Sequence, residues 1–279
     1  MKNILVLTDF SEVAYNASLF AIKIAKQIQA EIHFLHVIYT SEKRYHFNGR
    51  NKLDESHTEE AIEKSKVAMG LLMTMALNSG VMAKNFIVFN KAHFNIEDHV
   101  KNYKDDYVVI GSHGANGIKE LLVGSNAQKI IRYSPCPTLV IKGKAENIQI
   151  REIAFASFFH EEDHKPFLKV LEFADTIGAQ VNLLYVNTPF IYERKEIIVD
   201  RIHQFLMQIP GYPERDFKTY IEFGKYSDEG MLDFIKENEI DLLAIPTSGR
   251  KRISRVLKSS FTERIVNHIE KPVLTILEK

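Results

Sequence analysis

The sequence predicts a parallel α/β fold, present twice. Short apolar, β-branched runs alternate with stretches of helical period along the chain, which favours a parallel sheet with helical crossovers. The second half repeats the pattern of the first at a nearly constant offset. A glycine-rich stretch, Gly111–Asn126, follows the fourth apolar run of the first half, and its outer glycines are missing at the corresponding place in the second.

Ile4–Leu7 is a continuous apolar run, as expected of a strand covered on both faces. Asp9-Phe10-Ser11-Glu12 follows, and Ala14, Ala17, Ala21, Ile24, Ala25 and Ile28 then recur at helical spacing. Asp9 and Glu12 stand at capping-box spacing, so Asp9 is a candidate N-cap as well as a candidate ligand. Ile32–Ile38 reads as the second strand. The polar stretch Thr40–His57, with Tyr45 and Phe47 among charges, reads as a surface loop, and the helix after it closes near Gly80, a plausible C′ residue. Phe86–Phe89, Tyr107–Ile110 and Thr138–Ile141 are strands three to five, with a short helix over Ile96–Tyr103.

The repeat aligns Ile4–Leu7 with Ile153–Ala156, Leu35 with Leu184 and Val37 with Val186, all at an offset of 149. Ile87-Val88-Phe89 matches Ile221-Glu222-Phe223 at 134, and Pro137-Thr138-Leu139 matches Pro272-Val273-Leu274 at 135. The offset falls where the first half carries Thr40–His57. The polar run Gly143–Asn147 marks the join, giving units 1–145 and 146–279.

Composition narrows the function. Lys plus Arg and Asp plus Glu are both 36, so no global basic field argues for nucleic acid or an anionic membrane. Cys136 is the only cysteine, which excludes an internal disulfide and a cysteine zinc site, and reads as a small apolar residue. No apolar run reaches 18 residues and the N-terminal one meets Asp9 at once, so the expected location is cytoplasmic.

Gly111–Asn126 is the stretch with chemistry. Gly111, Gly114, Gly117 and Gly124 lie between a strand and a helix and end on Ser125 and Asn126. Glycines there let the backbone approach a phosphate, and free N–H groups at the helix start point at the anion. A capped surface loop is the alternative reading.

Gly-x-x-Gly, nine residues, then Gly-Ser, with Asp9 after the first strand and Val37 in the second, resembles the universal stress protein family in tandem form. The resemblance implies units with a five-stranded parallel sheet and helices on both faces, of the Rossmann-like, adenine nucleotide alpha hydrolase-like type. It implies ATP, AMP or ADP across the carboxyl ends of the strands, as the crevice rule for open α/β sheets requires. Val37 would then meet adenine through its backbone, and Asp9 would lie near base, ribose or a Mg ion, with Thr8 beside it. Gly111, His113 and Gly114 would fold around ribose and phosphates, and Gly124, Ser125 and Asn126 would hold the phosphates. A micromolar affinity needs about −8 kcal/mol, far beyond the roughly 0.3–2 kcal/mol of helix-terminus electrostatics, so adenine burial must supply most of it.

The sequence departs from the family at Asn90-Lys91-Ala92-His93, which lacks the usual Gly-x-Pro, and at Asn126, which replaces a small apolar residue. The second copy departs further: Gly111 becomes Pro246, Gly124 becomes Ser259 and Asp9 becomes Phe158. These losses predict one nucleotide site per chain, and they suggest that packing alone does not demand Gly111 or Gly124.

Two features of the second half read as structural. Arg250, Lys251, Arg252, Arg255 and Lys258 form a solvated basic loop, and His160–His164 matches the zinc-peptidase pattern but falls where a helix starts. No P-loop lysine or pair of metal carboxylates is evident, so a sensing or regulatory role leads over a slow ATPase or phosphotransferase using Asp9 and a metal, and over an interaction module. The family's usual pairing through fifth strands implies an intramolecular pseudo-dimer through Thr138–Ile141 and Val273–Ile276, with a homodimer as a further level.

Overall fold

A computed structural model describes residues 2–39, 52–90, 96–112, 130–131, 134–144, 148–247 and 259–277. The first unit runs β1 (Asn3–Leu7), α1 (Glu12–Ile28), β2 (Glu31–Tyr39), α2 (Lys52–Asn78), β3 (Ala83–Asn90), α3 (Ile96–Tyr103), β4 (Tyr107–Gly111) and β5 (Thr138–Ile141). The second runs β6 (Glu152–Ala156), a 3-10 turn over Glu161–Asp163, α4 (His164–Ile177), β7 (Gln180–Asn187), α5 (Lys195–Leu206), β8 (Thr219–Phe223), α6 (Ser227–Glu237), β9 (Leu242–Thr247), α7 (Ser259–His268) and β10 (Val273–Leu277).

The strands form one ten-stranded sheet in the order β3-β2-β1-β4-β5-β10-β9-β6-β7-β8. All neighbours are parallel except the central pair, where β5 and β10 run antiparallel with Leu139 opposite Leu274 and Thr138 opposite Thr275. Period-two alternation explains the continuous apolar runs: Ile4 and Val6 enter the core on one face, Leu5 the core on the other. Both cores pass through both units, one joining Ile4, Phe20 and Phe34 to Phe155 and Phe167, the other joining Leu5 and Val108 to Ile245 and Ile265. Each fully buried apolar side chain contributes roughly 1.5–3 kcal/mol of transfer free energy, which accounts for the continuous apolar runs.

Helix ends follow local chemistry. Ser11, not Asp9, is the N-cap of α1, its hydroxyl accepting the Ala14 N–H at 3.3 Å. α1 closes on Gln29 in the left-handed region (φ 54°), where the second unit has Gly178 (φ 72°) closing α4. α2 is followed by Gly80 at φ 76°, the expected C′ glycine. Among the described residues no helix is long and apolar enough to cross a membrane.

Candidate functional site

At the carboxyl end of β1 the chain makes a tight turn that determines where Asp9 sits. Thr8 is buried; its N–H donates to the Leu35 carbonyl at 3.0 Å and its Oγ1 accepts the Phe10 N–H at 3.0 Å. Its carbonyl lies 2.8 Å from His36 Nδ1, and the His36 ring packs on Phe10 at 4.5 Å. Phe10 is driven to φ 62°, a conformation that is uncommon for a side chain of that size. The second unit repeats the turn, with Phe159 at φ 57° and Ser157 Oγ accepting its N–H at 2.7 Å. Asp9 is left exposed at the crest, with Oδ1 accepting the Ser11 N–H at 3.0 Å. Thr8 thus shapes the turn, and Asp9 offers a carboxylate to solvent over the crevice.

Val37 lies where β2 outruns β1. Pairing of β1 with β2 ends at Leu7–Leu35, while β2 continues beside β3 to Tyr39. The carbonyl of Leu35 faces β1, and in a parallel ladder residues two apart turn their backbone groups to the same side. The N–H and C=O of Val37 therefore face the gap above the end of β1, while its side chain packs against the core.

Gly111 ends β4 on the opposite flank. A Cβ there would lie 2.3 Å from the Val13 carbonyl oxygen and 2.8 Å from the Ala14 nitrogen, both backbone atoms of the first turn of α1. Packing does demand this glycine, contrary to the expectation from the repeat. In the second unit Pro246 occupies the place, and the facing segment, Glu161–Asp163, is a 3-10 turn with α4 starting only at His164. The duplicated unit therefore meets the same strand end with a different first turn.

Ser112, the next residue, is buried; its N–H donates to the Ile141 carbonyl at 3.0 Å. Its hydroxyl accepts from Lys142 Nζ at 3.1 Å, and Lys142 also donates to the Val266 carbonyl in the last turn of α7. Burial lowers the Lys142 ammonium to about 8. Lys142 thus ties the root of the glycine stretch to a helix of the second unit. The signal was a lysine directly after the apolar run Thr138–Ile141, at a position where the repeat has Leu277. His113, Gly114, Gly124, Ser125 and Asn126 lie outside the described residues, as do Thr40–His57 apart from the start of α2 and the cations Arg250–Lys258.

The corresponding end of the second unit is filled by its own side chains. Phe158 stands where the first unit has Asp9 and meets Tyr185 edge-on at 5.6 Å. Tyr185 donates to Glu193 Oε2 at 2.8 Å, Arg201 donates to Glu193 Oε1 at 2.5 Å and to the Phe158 carbonyl at 3.3 Å. Arg201 holds the Glu193 carboxyl below its usual range, while burial and then Glu193 push the Tyr185 phenol up to about 12. Asn187, fully buried, clasps the Glu193 backbone through both its amide nitrogen (2.7 Å) and oxygen (3.1 Å). The network is not legible in the sequence, because Tyr185 lies in a strand, Glu193 in a connection and Arg201 in a helix, so their spacing of eight matches no single backbone period.

The remaining motifs are structural. His160 precedes the 3-10 turn, and the ring nitrogens of His164 lie 2.9 and 3.2 Å from the carbonyl oxygens of Glu161 and Phe205, with its ring stacked on Phe205 at 4.2 Å. Asp163 accepts from the Ser157 hydroxyl at 2.6 Å, and burial raises its carboxyl. Cys136 is buried, its thiol raised to about 11 chiefly by that burial. Among the described residues no cluster of three His, Cys, Asp or Glu is arranged to hold a metal ion.

The model of the universal stress protein family matches residues 1–142 and 150–276. A universal stress protein of Methanocaldococcus jannaschii is 34% identical over 156 residues, covering 51% of this chain and 96% of its own length. One from Synechocystis is 23% identical over 303 residues and covers 99% of both chains. The crystal structure of a universal stress protein from Archaeoglobus fulgidus shares the fold with a TM-score of 0.76 over 99% of this chain and 98% of that one, at 17% identity. With both units matched in succession, the chain belongs to the universal stress protein family as a tandem member.

Proposed function

We propose that the chain is an adenine-nucleotide-binding universal stress protein with a sensing or regulatory role, holding ATP, ADP or AMP in its first unit only. The observation that carries this reading is the contrast between the two strand ends. Both units let the second strand outrun the first, β2 past β1 and β7 past β6, but only in the first do an exposed carboxylate and a strand-terminal glycine stand beside that overhang, at the root of the Gly-x-x-Gly…Gly-Ser sequence. In the second, Phe158, Pro246 and the Tyr185–Glu193–Arg201 network occupy the same positions.

Val37 would accept and donate to the adenine edge, and the backbone amides at Gly114 and from Gly124 to Asn126 would receive phosphate oxygens at the helix start. Mg²⁺ commonly takes one or two carboxylates plus substrate phosphates, and Asp9, with one oxygen already committed to the Ser11 N–H, fits that limited role. The units, divided at 145/146, would act as halves of a pseudo-dimer through β5 and β10. Calorimetric titration of the full chain with Mg-ATP tests the reading: about one nucleotide per chain is expected. Two equivalents, or no binding at millimolar nucleotide, would overturn it.

A further inference from the structure

A second feature of the first unit lies at the opposite end of its sheet. His33 on β2 and Asp105 just before β4 are both buried, with His33 Nδ1 2.5 Å from Asp105 Oδ1. Glu31 Oε2 approaches His33 Nε2 to 3.9 Å, and Glu31 Oε1 is ion-paired with Lys84 of β3 at 2.9 Å. His33 Nε2 and Asp105 Oδ2 have no hydrogen-bond partner. His99 and Tyr103 of α3 close the group with Phe86 of β3: Phe86 meets His99 edge-on at 5.1 Å, and the His99 and Tyr103 rings lie 4.5 Å apart. The Asp105 and Asp106 carboxylates both help to hold the buried Cys136 thiol protonated, after burial itself.

The duplicated unit acts as a control. By the offsets of 149 and 135, Asn182, Phe234 and Ile240 stand where His33, His99 and Asp105 do. The packing geometry is kept without the charges: Tyr220, in the place of Phe86, meets Phe234 edge-on at 4.8 Å. Phe234 and Ile240 are buried, and Asn182 is spent on Glu152 at 2.7 Å. The positions of His33, His99 and Asp105 therefore do not need ionisable side chains for this corner to pack. Buried ion pairs generally add little over apolar residues of similar size, so stability is a poor reason for them here.

We propose that His33, His99 and Asp105 form an acid-sensitive latch that holds α3 to the base of the first unit and releases it on acidification. The mechanism is proton uptake. With His99 neutral, its ring packs between Phe86 and Tyr103 while Asp105 takes the His33 N–H. A proton on His99 places a positive charge on a buried ring held between Phe86 and Tyr103, and swinging α3 outward rehydrates it. Burial lowers the His99 basicity, Asp105 partly opposes this and His33 adds to it, so the closed form resists protonation that the open form accepts. The open form gains on the closed one as pH falls below the ordinary histidine value of about 6.5. β4 starts at Tyr107, two residues beyond Asp105, and ends at Gly111, so the latch anchors the strand that carries the crevice glycine.

Hydrogen exchange on the full chain, corrected for intrinsic rates, tests this between pH 7.5 and 5.5, with α6, the counterpart of α3 in the second unit, as internal reference. Protection of α3 amides is expected to fall by up to about tenfold, the limit that single-proton linkage sets one pH unit below the ordinary histidine value, while α6 stays constant. In His99→Phe, which installs the residue of the second unit, the pH response of α3 should vanish. His33→Asn serves if that variant folds poorly, and should also blunt the response. Equal changes in α3 and α6, or a response that survives both substitutions, would overturn the latch.

Discussion

Gly111→Ala separates what the fold requires from what a ligand requires. The added methyl carbon would start 2.3 Å from the Val13 oxygen and 2.5 Å from its carbonyl carbon, so strand and helix must part by at least about 0.7 Å to reach the 3.0 Å that real contacts respect. Neither partner is a flexible side chain. Val13 lies in the first turn of α1, held by the Ser11 cap and by buried Ala14, Ala17, Phe20 and Ala21. Overpacking of this kind costs typically 1–3 kcal/mol, and rigid backbone on both sides puts this case near the upper end. At roughly 2–4 °C per kcal/mol for chains of this size, the melting temperature should drop about 6–12 °C. Differential scanning calorimetry without nucleotide is the assay, because the effect belongs to packing and needs no ligand. A drop under about 2 °C would refute the reasoning and return Gly111 to a purely ligand-driven role.

Asp9→Ala should lower nucleotide affinity by about tenfold or more in Mg-dependent titrations while changing stability by no more than about 1 kcal/mol, since only one exposed turn hydrogen bond is lost. An unchanged affinity would remove Asp9 from the site. Gln29→Gly should stabilise the chain by about 1 kcal/mol in urea titrations by relieving a left-handed non-glycine residue at the end of α1, where the second unit uses Gly178. Lys142→Leu installs the residue of the second unit. Because burial lowers the Lys142 ammonium to about 8, the unfolded chain binds the extra proton between there and 10.5, so wild type should gain stability on the variant as pH rises through that window. A difference that is flat from pH 8 to 10.5 would show that the ammonium does not feel this burial. Arg201→Ala should destabilise the second unit by about 1–3 kcal/mol, read by thermal melts, because it strips Glu193 of its charged partner.

Fold class, element order and duplication were legible because the signals are local. Continuous apolar runs announced strands covered on both faces, and Gly80 announced the end of α2. The N-cap of α1 is not decided by the sequence, since Asp9 and Ser11 are both good caps and only the turn geometry, with Phe10 at φ 62°, selects Ser11. Gly111 was misread for a different reason. Comparing it with Pro246 assumed that the facing helix begins identically in both units, and a 3-10 turn in the second breaks that assumption. Lys142, the Glu193 network and the His33–Asp105 pair escaped sequence reading because their partners lie 30, 8 and 72 positions away with no periodic relation.

The duplication gives these readings their force. One unit ends its crevice with an exposed carboxylate and a strand-terminal glycine and buries a histidine–aspartate pair at its base; the other fills the crevice with aromatic and ion-paired side chains and puts Asn182, Phe234 and Ile240 at its base. Both differences run in the same direction, toward a first unit that keeps chargeable groups and a second that packs them away. At these positions stability alone favours the second pattern, because the buried His33–Asp105 pair and the left-handed Gln29 cost free energy that Asn182, Ile240 and Gly178 avoid. With β5 paired to β10 and Lys142 reaching Val266, the plainer unit is built directly onto the charged one. A division of labour in which the second unit braces the first follows from that asymmetry, and it places responsive chemistry on the side that spends stability to keep it.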